Sequence, residues 1–176
     1  MMNNINEILL SGGIAILPTD TLYGIVCLAS NQQAVNKIYK IKNRDAKKPP
    51  IVLISNIDQM FDKPAKEMEE QLNILWPGPN SIIFPAVNAP NWITRGSNSV
   101  AYRLITKGFL KEVIDKTGPL IAPSANPEGL TPARDISQAK KYFGDSIDVY
   151  IDGGEINNTK PSNLYLWSPQ GTKKIR

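Results

Sequence analysis

Histidine is absent from all 176 residues of the sequence. That removes the Ser-His-Asp triad, the Cys-His pair and any histidine-ligated metal. Cysteine is nearly absent too. Cys27 is the single example, so no internal disulfide can form, and a reducing compartment is the expected setting. No apolar run approaches the length of a membrane span. The N-terminal stretch MMNNINEILLSGG has no basic segment followed by an apolar one, so it does not read as a signal peptide. The expectation is a cytoplasmic protein with no membrane partner. Neither the GxxxxGK[ST] phosphate loop nor the GxGxxG dinucleotide fingerprint occurs. What remains for chemistry is lysine, arginine, hydroxyls and backbone amides, acting by positioning and electrostatics. The net charge of +4 and the pI near 9.1 point to anionic ligands, nucleotide or nucleic acid.

What is present is ordinary for a globular chain, with 41% hydrophobic and 20% charged residues. At this length the simplest organisation is one domain over residues 1–176, burying roughly two-thirds of its unfolded surface. Residues 3–11 read as a short helix ended by Gly12-Gly13, and IAIL (14–17) as a buried strand. The segment 31–42 is an amphipathic helix with Asn31 as N-cap and Ala34, Ile38 and Ile41 as its apolar stripe, Val35 beside it. Strands are expected at 50–54, 80–87, 99–105, 119–122, 147–151, 163–167 and 172–175. Helices are expected at 64–75, 108–117 and 135–143. Strands and helices interleave without repeats, which predicts an α/β fold with a mixed sheet.

Three loops and a basic cluster carry the candidate chemistry. LPTDTLYGI (17–25) is a polar loop between apolar runs, either a locally hydrogen-bonded turn or one wall of a site. Between Lys37 and Lys48 there are six basic residues and one acidic one. A solvated helix end explains such a cluster. Yet Lys42 and Arg44 alternate just where the helix ends, a pairing suited to a polyphosphate, because arginine grips phosphate bidentately and lysine supplies a point charge. Both are expected at a solvent-facing helix end. Arg103 lies inside a strand, on the face it shares with Ala101. It either pairs with a carboxylate at the core edge or is aimed from a rigid element at a ligand carboxylate. In APSANPEG (122–129), Ser124 and Asn126 either close turn motifs or belong to a loop whose backbone amides approach an anion. KPSNLYL (160–166) places Ser162 at the entrance to a strand.

In order along the chain, PTDTLYGI, KIKNR, WPGPNSIIFPA, SVAYR, APSANPEG and PSNLYL resemble the motifs of the YrdC-like family of L-threonylcarbamoyladenylate synthases. The likeness runs from about residue 10 to the C-terminus and is greatest to the short, single-domain bacterial type. The resemblance implies a twisted mixed sheet with flanking helices and a basic concave groove. It implies a reaction in which L-threonine, bicarbonate and ATP, with Mg²⁺, give threonylcarbamoyl-AMP and pyrophosphate for tRNA modification. It assigns the ATP phosphates to Lys42 and Arg44, acting as catalytic cations, with Ser99, Ser124, Asn126 and Thr131 at the nucleotide. It assigns the threonine carboxylate to Arg103, with Thr19, Tyr23, Ser162 and the Ala122 backbone shaping that pocket. No residue is assigned as a metal ligand. Departures from the pattern are Glu128 where many relatives carry serine, Leu53 where longer relatives carry histidine, and SNLYLW in place of STVVD.

The competing reading is a module that binds double-stranded RNA or tRNA for maturation without catalysis, through the same basic surface. Longer relatives carry a linker and second domain over the site, whereas this sequence stops at GTKKIR. The expectation is therefore an open nucleotide groove, and a separate tRNA threonylcarbamoyl transferase complex that collects the product.

Overall fold

Alternate residues of the first strand face opposite ways, and both sets are apolar. Ile14 and Ile16 enter one core cluster, Ala15 and Leu17 the other. A strand buried on both faces must sit inside a sheet that is covered on both sides. The computed structural model of the protein, which describes residues 2–64, 66–157 and 160–176, shows that arrangement. Helix α1 (Met2–Leu10) leads into β1 (Ala15–Pro18), which turns back at once into β2 (Tyr23–Leu28). Next come α2 (Gln32–Lys42), β3 (Ile51–Ile54), α3 (Lys66–Leu75), β4 (Asn80–Pro85) and a one-turn helix α4 (Asn91–Thr94). The chain continues through β5 (Ser99–Leu104), α5 (Gly108–Thr117), β6 (Leu120–Ile121), α6 (Ile136–Phe143), β7 (Val149–Tyr150), β8 (Asn163–Ser168) and β9 (Gly171–Lys174).

The strands form one nine-stranded sheet in the order β7-β1-β2-β6-β3-β5-β4-β8-β9. It is mixed: β3 runs parallel to β5 and β4 to β8, while β1–β2, β2–β6, β4–β5 and β8–β9 are antiparallel. On one face Tyr23, Ile25 and Cys27 join Ala34, Val35 and Ile38 of α2 and Ile136, Ala139 and Phe143 of α6. On the other, Val26, Leu28, Leu53 and Leu120 pack against Ile5 and Leu9 of α1 and Leu110, Val113 and Ile114 of α5. Each such buried aliphatic side chain contributes about 1.5–3 kcal/mol, so the two layers together hold the sheet between them.

Local signals act as expected at several ends. The Asn31 side chain accepts the Ala34 N–H at 2.9 Å, and Asp135 caps α6 by accepting from Gln138 at 2.7 Å. Two elements differ from the sequence reading. β2 is a strand where none is expected, and because it starts at Tyr23 the polar loop is only the four residues Thr19 to Leu22. The NWIT turn, α4, is helical where no element is expected. The start of the expected helix at 64 abuts residue 65, which lies outside the described residues.

Candidate active site

The four-residue turn between β1 and β2 is tied by its own first residue. The Thr19 N–H donates to the Leu22 carbonyl at 3.0 Å, and the Thr19 hydroxyl donates to the same oxygen at 2.7 Å. That hydroxyl also accepts the N–H groups of Thr21 and Leu22, each at 3.2 Å. The turn is therefore both things the sequence allows, a self-bonded ST motif and a wall. Glycine is needed behind it. A Cβ on Gly24 would lie 2.9 Å from Thr19 Cγ2, so only a bare backbone lets the turn close against the Ala122–Pro123 segment.

Beside this turn opens a cavity of about 400 Å³. Thr19, Thr21, Ala122, Ser124 and Ser162 line it, with Arg44, Arg103 and Arg176 as its cations. It lies on the α1/α5 side of the sheet, past the edge of the apolar cluster that ends at Leu53 and Ala122. An adjoining hollow, lined by Thr131, Arg134 and Gln138, shares Pro132 with it.

Arg103 is the best-buried cation of the cavity wall, only 4% exposed. β5 places it directly across from Leu53 of β3. Its Nη2 pairs with Asp20 Oδ1 at 3.2 Å, and its Nη1 donates to the Thr21 hydroxyl at 3.3 Å. Its Nε is buried and makes no hydrogen bond to a described residue. Burial lowers the guanidinium's pKa; Asp20 opposes that and Arg176 adds to it. The first alternative for Arg103 holds, since it pairs with a core-edge carboxylate, and the same side chain also fronts a cavity.

The basic pair divides. Arg44 lies on the cavity wall, its Nη2 donating to the Pro49 carbonyl at 3.1 Å and its guanidinium 5.6 Å from the centre of the Tyr39 ring. Lys42 is not at a solvent-facing end: it is 2% exposed. Its position follows from helical spacing, because Val35, Ile38, Tyr39 and Lys42 are the buried stripe of α2. The Lys42 ammonium donates to the Ser124 carbonyl at 2.5 Å and to that of Asn126, so it pins the nucleotide-loop candidate from below. Burial, then the nearby Arg44 charge, lowers its pKa to about 7, against an opposing pull from Glu128.

The other expected residues sort by geometry. The Ser162 hydroxyl, buried, shares a hydrogen bond of 2.9 Å with Ser81 of β4. Ser124 Oγ donates to Asn126 Oδ1 at 2.6 Å, while Asn126 Nδ2 donates to the carbonyls of Pro127 and Leu130. The Asn126 side chain thus closes its own loop and is not on the cavity wall. Tyr23 reaches the cavity without its hydroxyl, contrary to the expectation that its side chain closes the pocket. The ring is in the opposite core layer, where the hydroxyl donates to Gly154 O at 2.8 Å and accepts from Gly153 N at 2.9 Å. Ser99 stands four residues before Arg103, about 13 Å back along the strand, bonded to Ser97 at 3.1 Å. Glu128, the departure from the motif, accepts the Asp45 N–H at 2.6 Å and pairs with Lys48, joining the basic loop to the 122–129 loop.

Arg176 is the cation the sequence reading misses. The β8–β9 hairpin returns it to Leu164, with N–H···O distances of 3.0 and 3.2 Å, and its Nη2 donates to the Ser162 carbonyl at 3.2 Å. Only recognising that SPQG turns the chain back on itself would bring it to Ser162.

The mixed sheet and its connections bring three guanidiniums and several hydroxyls around one small cavity in an α/β protein. The chain belongs to the Sua5/YciO/YrdC family, whose model, described as telomere recombination, matches residues 7–176. The threonylcarbamoyl-AMP synthase of Marinobacter nauticus is 32% identical over 164 residues, covering 90% of this chain and 86% of that one. That of Pseudomonas aeruginosa (strain UCBPP-PA14) is 34% identical over 156 residues, covering 86% and 84%. Among solved structures, P. abyssi Sua5 complexed with L-threonine superposes with a TM-score of 0.89 at 27% identity, over 99% of this chain and 53% of that one. This chain therefore spans about half the length of that protein. E. coli YciO, at 17% identity and a TM-score of 0.87, shares the fold.

Proposed function

We propose that this protein is an L-threonylcarbamoyladenylate synthase of the nucleotidyltransferase class, with residues 1–176 acting as one catalytic unit in the cytoplasm. The observation that carries the reading is the convergence of Arg44, Arg103, Arg176 and Ser162 on one cavity. The names of its relatives, and the threonine held by P. abyssi Sua5, support the same substrate.

In this reading Arg103 takes the threonine carboxylate, whose geometry its planar fork matches. Arg44 and Arg176 face the nucleotide phosphates, and Lys42 supports them by fixing the Ser124–Asn126 backbone. The amine of threonine and bicarbonate condense to a carbamate with loss of water. A carbamate oxygen then forms a bond to the α-phosphorus of ATP, and the bond to the β-phosphate oxygen breaks, releasing pyrophosphate. The nucleophile is already anionic, so the lack of histidine is no obstacle. The protein's contribution is cationic stabilisation and in-line placement. Among the described residues no cluster of three acidic or cysteine side chains is placed to hold a metal ion. Mg²⁺ would come with the nucleotide substrate, since a hard cation of this kind suits phosphate oxygens.

The activity has a direct test. Pyrophosphate should appear only when L-threonine, bicarbonate and MgATP are all supplied, and release without threonine would refute the assignment. Arg44→Ala should lose about 2–4 kcal/mol in kcat/KM for MgATP, the usual cost of removing a transition-state cation. Its urea midpoint should hardly move. Near-normal turnover would return Arg44 to a surface role. The unstable mixed anhydride is passed to a separate tRNA threonylcarbamoyl transferase complex, and any tRNA contact belongs to that handover.

A non-catalytic RNA-binding module needs exposed cations along a surface. Arg103 and Lys42 are instead buried, a placement that favours catalysis of a small-molecule reaction.

A further inference from the structure

Arg103 carries its charge almost wholly out of water, and burial of a guanidinium is tolerated only where partners take up its donors. Among the described residues its one ion pair is with Asp20. Asp20 is not among the residues lining the cavity; it meets Nη2 with its side chain 33% exposed. Thr21, the next residue but one after Thr19, takes Nη1. Both contacts come from the four-residue turn that the Thr19 hydroxyl locks through three hydrogen bonds. The partners of Arg103 are thus held by a rigid turn rather than by a mobile loop, and Nε, without a bonded partner among the described residues, is left over on a side chain that fronts the cavity.

We propose that Asp20 is a positioning residue that sets the affinity for the amino-acid carboxylate, by holding the Arg103 fork in one orientation with its remaining donors turned to the cavity. This rests on the reading above that Arg103 receives that carboxylate. Two forces would otherwise move the guanidinium. Burial favours its escape towards solvent, and the like charge of Arg176 repels it. The fixed carboxylate counters both, and it does so without occupying the volume a ligand needs. The turn sequence T-D-T therefore has a division of labour: Thr19 builds the turn, Asp20 holds the charge, and Thr21 fixes the tilt of the fork.

The test uses the full chain with three substitutions. Asp20→Asn keeps the shape and an acceptor oxygen but removes the charge. It should raise KM for L-threonine by about tenfold or more, as expected for unpairing a buried cation. Over the same substitution, kcat and KM for MgATP should stay within about twofold. Asp20→Glu should recover most of the threonine affinity. In an Arg103→Lys background Asp20→Asn should add little, because the two act through one contact. An unchanged KM for threonine, a loss shared equally by MgATP, or a fall confined to kcat would overturn the proposal. If the wild-type protein proves to have no synthase activity, the function proposed above falls and this inference is decided by nuclear magnetic resonance. The Arg103 Nε–Hε signal should then be retained in wild type and Asp20→Glu but shifted or broadened in Asp20→Asn. An identical signal in all three would overturn it.

Discussion

Arg103→Lys should weaken L-threonine binding by about a hundredfold, close to 3 kcal/mol, while MgATP affinity shifts by less than about threefold. The asymmetry follows from donor geometry. A carboxylate bound at this site would meet two parallel N–H groups of a planar fork, whose other donors Asp20 and Thr21 already engage. A lysine ammonium in the same place is a hydrated point charge on a flexible, shorter-reaching stem, and it can satisfy Asp20 or the ligand but not both in the same geometry. Charge is conserved, so the general attraction for the nucleotide phosphates persists. Isothermal titration of each ligand separately decides the matter. If both affinities fall together, Arg103 is a structural residue of the sheet and the carboxylate is held elsewhere.

Lys42→Met is expected to have the second large effect, on two properties at once. Methionine fills much the same volume on the buried stripe of α2 but leaves the carbonyls of Ser124 and Asn126 without their shared donor. Losing a buried partner of this kind costs about 1–3 kcal/mol per abandoned group. The loop it anchors is the proposed nucleotide loop, so KM for MgATP should rise by about tenfold or more while threonine affinity is affected less. The pH dependence gives a sharper signature. The folded Lys42 ammonium titrates near 7, lowered by burial and then by Arg44, whereas an unfolded lysine titrates near 10.5. Between those values the unfolded chain binds a proton that the folded chain does not, so this group makes stability rise with pH across that window. Below about pH 7 both states are protonated and the burden of the buried charge is present in full. The urea midpoint of wild type, measured relative to Lys42→Met, should therefore climb from pH 7 towards pH 10. A flat difference would show that Lys42 keeps its proton throughout.

Much of the architecture is legible because it follows from short-range rules. The α2 stripe, its Asn31 cap and the doubly buried β1 segment all depend on neighbours a few residues away, and the sequence reading places them within a residue or two. The cavity residues Thr19, Arg44, Arg103, Ser124 and Ser162 are also recoverable, since each belongs to an ordered motif. What escapes has a physical cause in each case. Lys42 shares the spacing of Val35, Ile38 and Tyr39, which marks it as buried, but a lysine at a helix end is ordinarily solvated and the charge outweighed the period. Tyr23 alternates to the far face of β2, whose first three residues the sequence reading assigns to the polar loop. Arg176 becomes a cavity residue only through the pairing of β8 with β9 and of β8 with β4. Such long-range register leaves no local trace.

The order of strands described above also governs how the protein behaves when concentrated. An exposed strand edge invites another chain to pair with it, the usual first step towards aggregation. Here one rim of the sheet is β7, only two residues long, which offers too little ladder for a stranger to hold. The opposite rim is β9, whose sequence GTKK ends on the exposed lysines Lys173 and Lys174. A second copy docking there would set like charges side by side with no partner for either. The same hairpin that carries Arg176 to the cavity thus lays lysines along its outer edge, which disfavours pairing with another strand there.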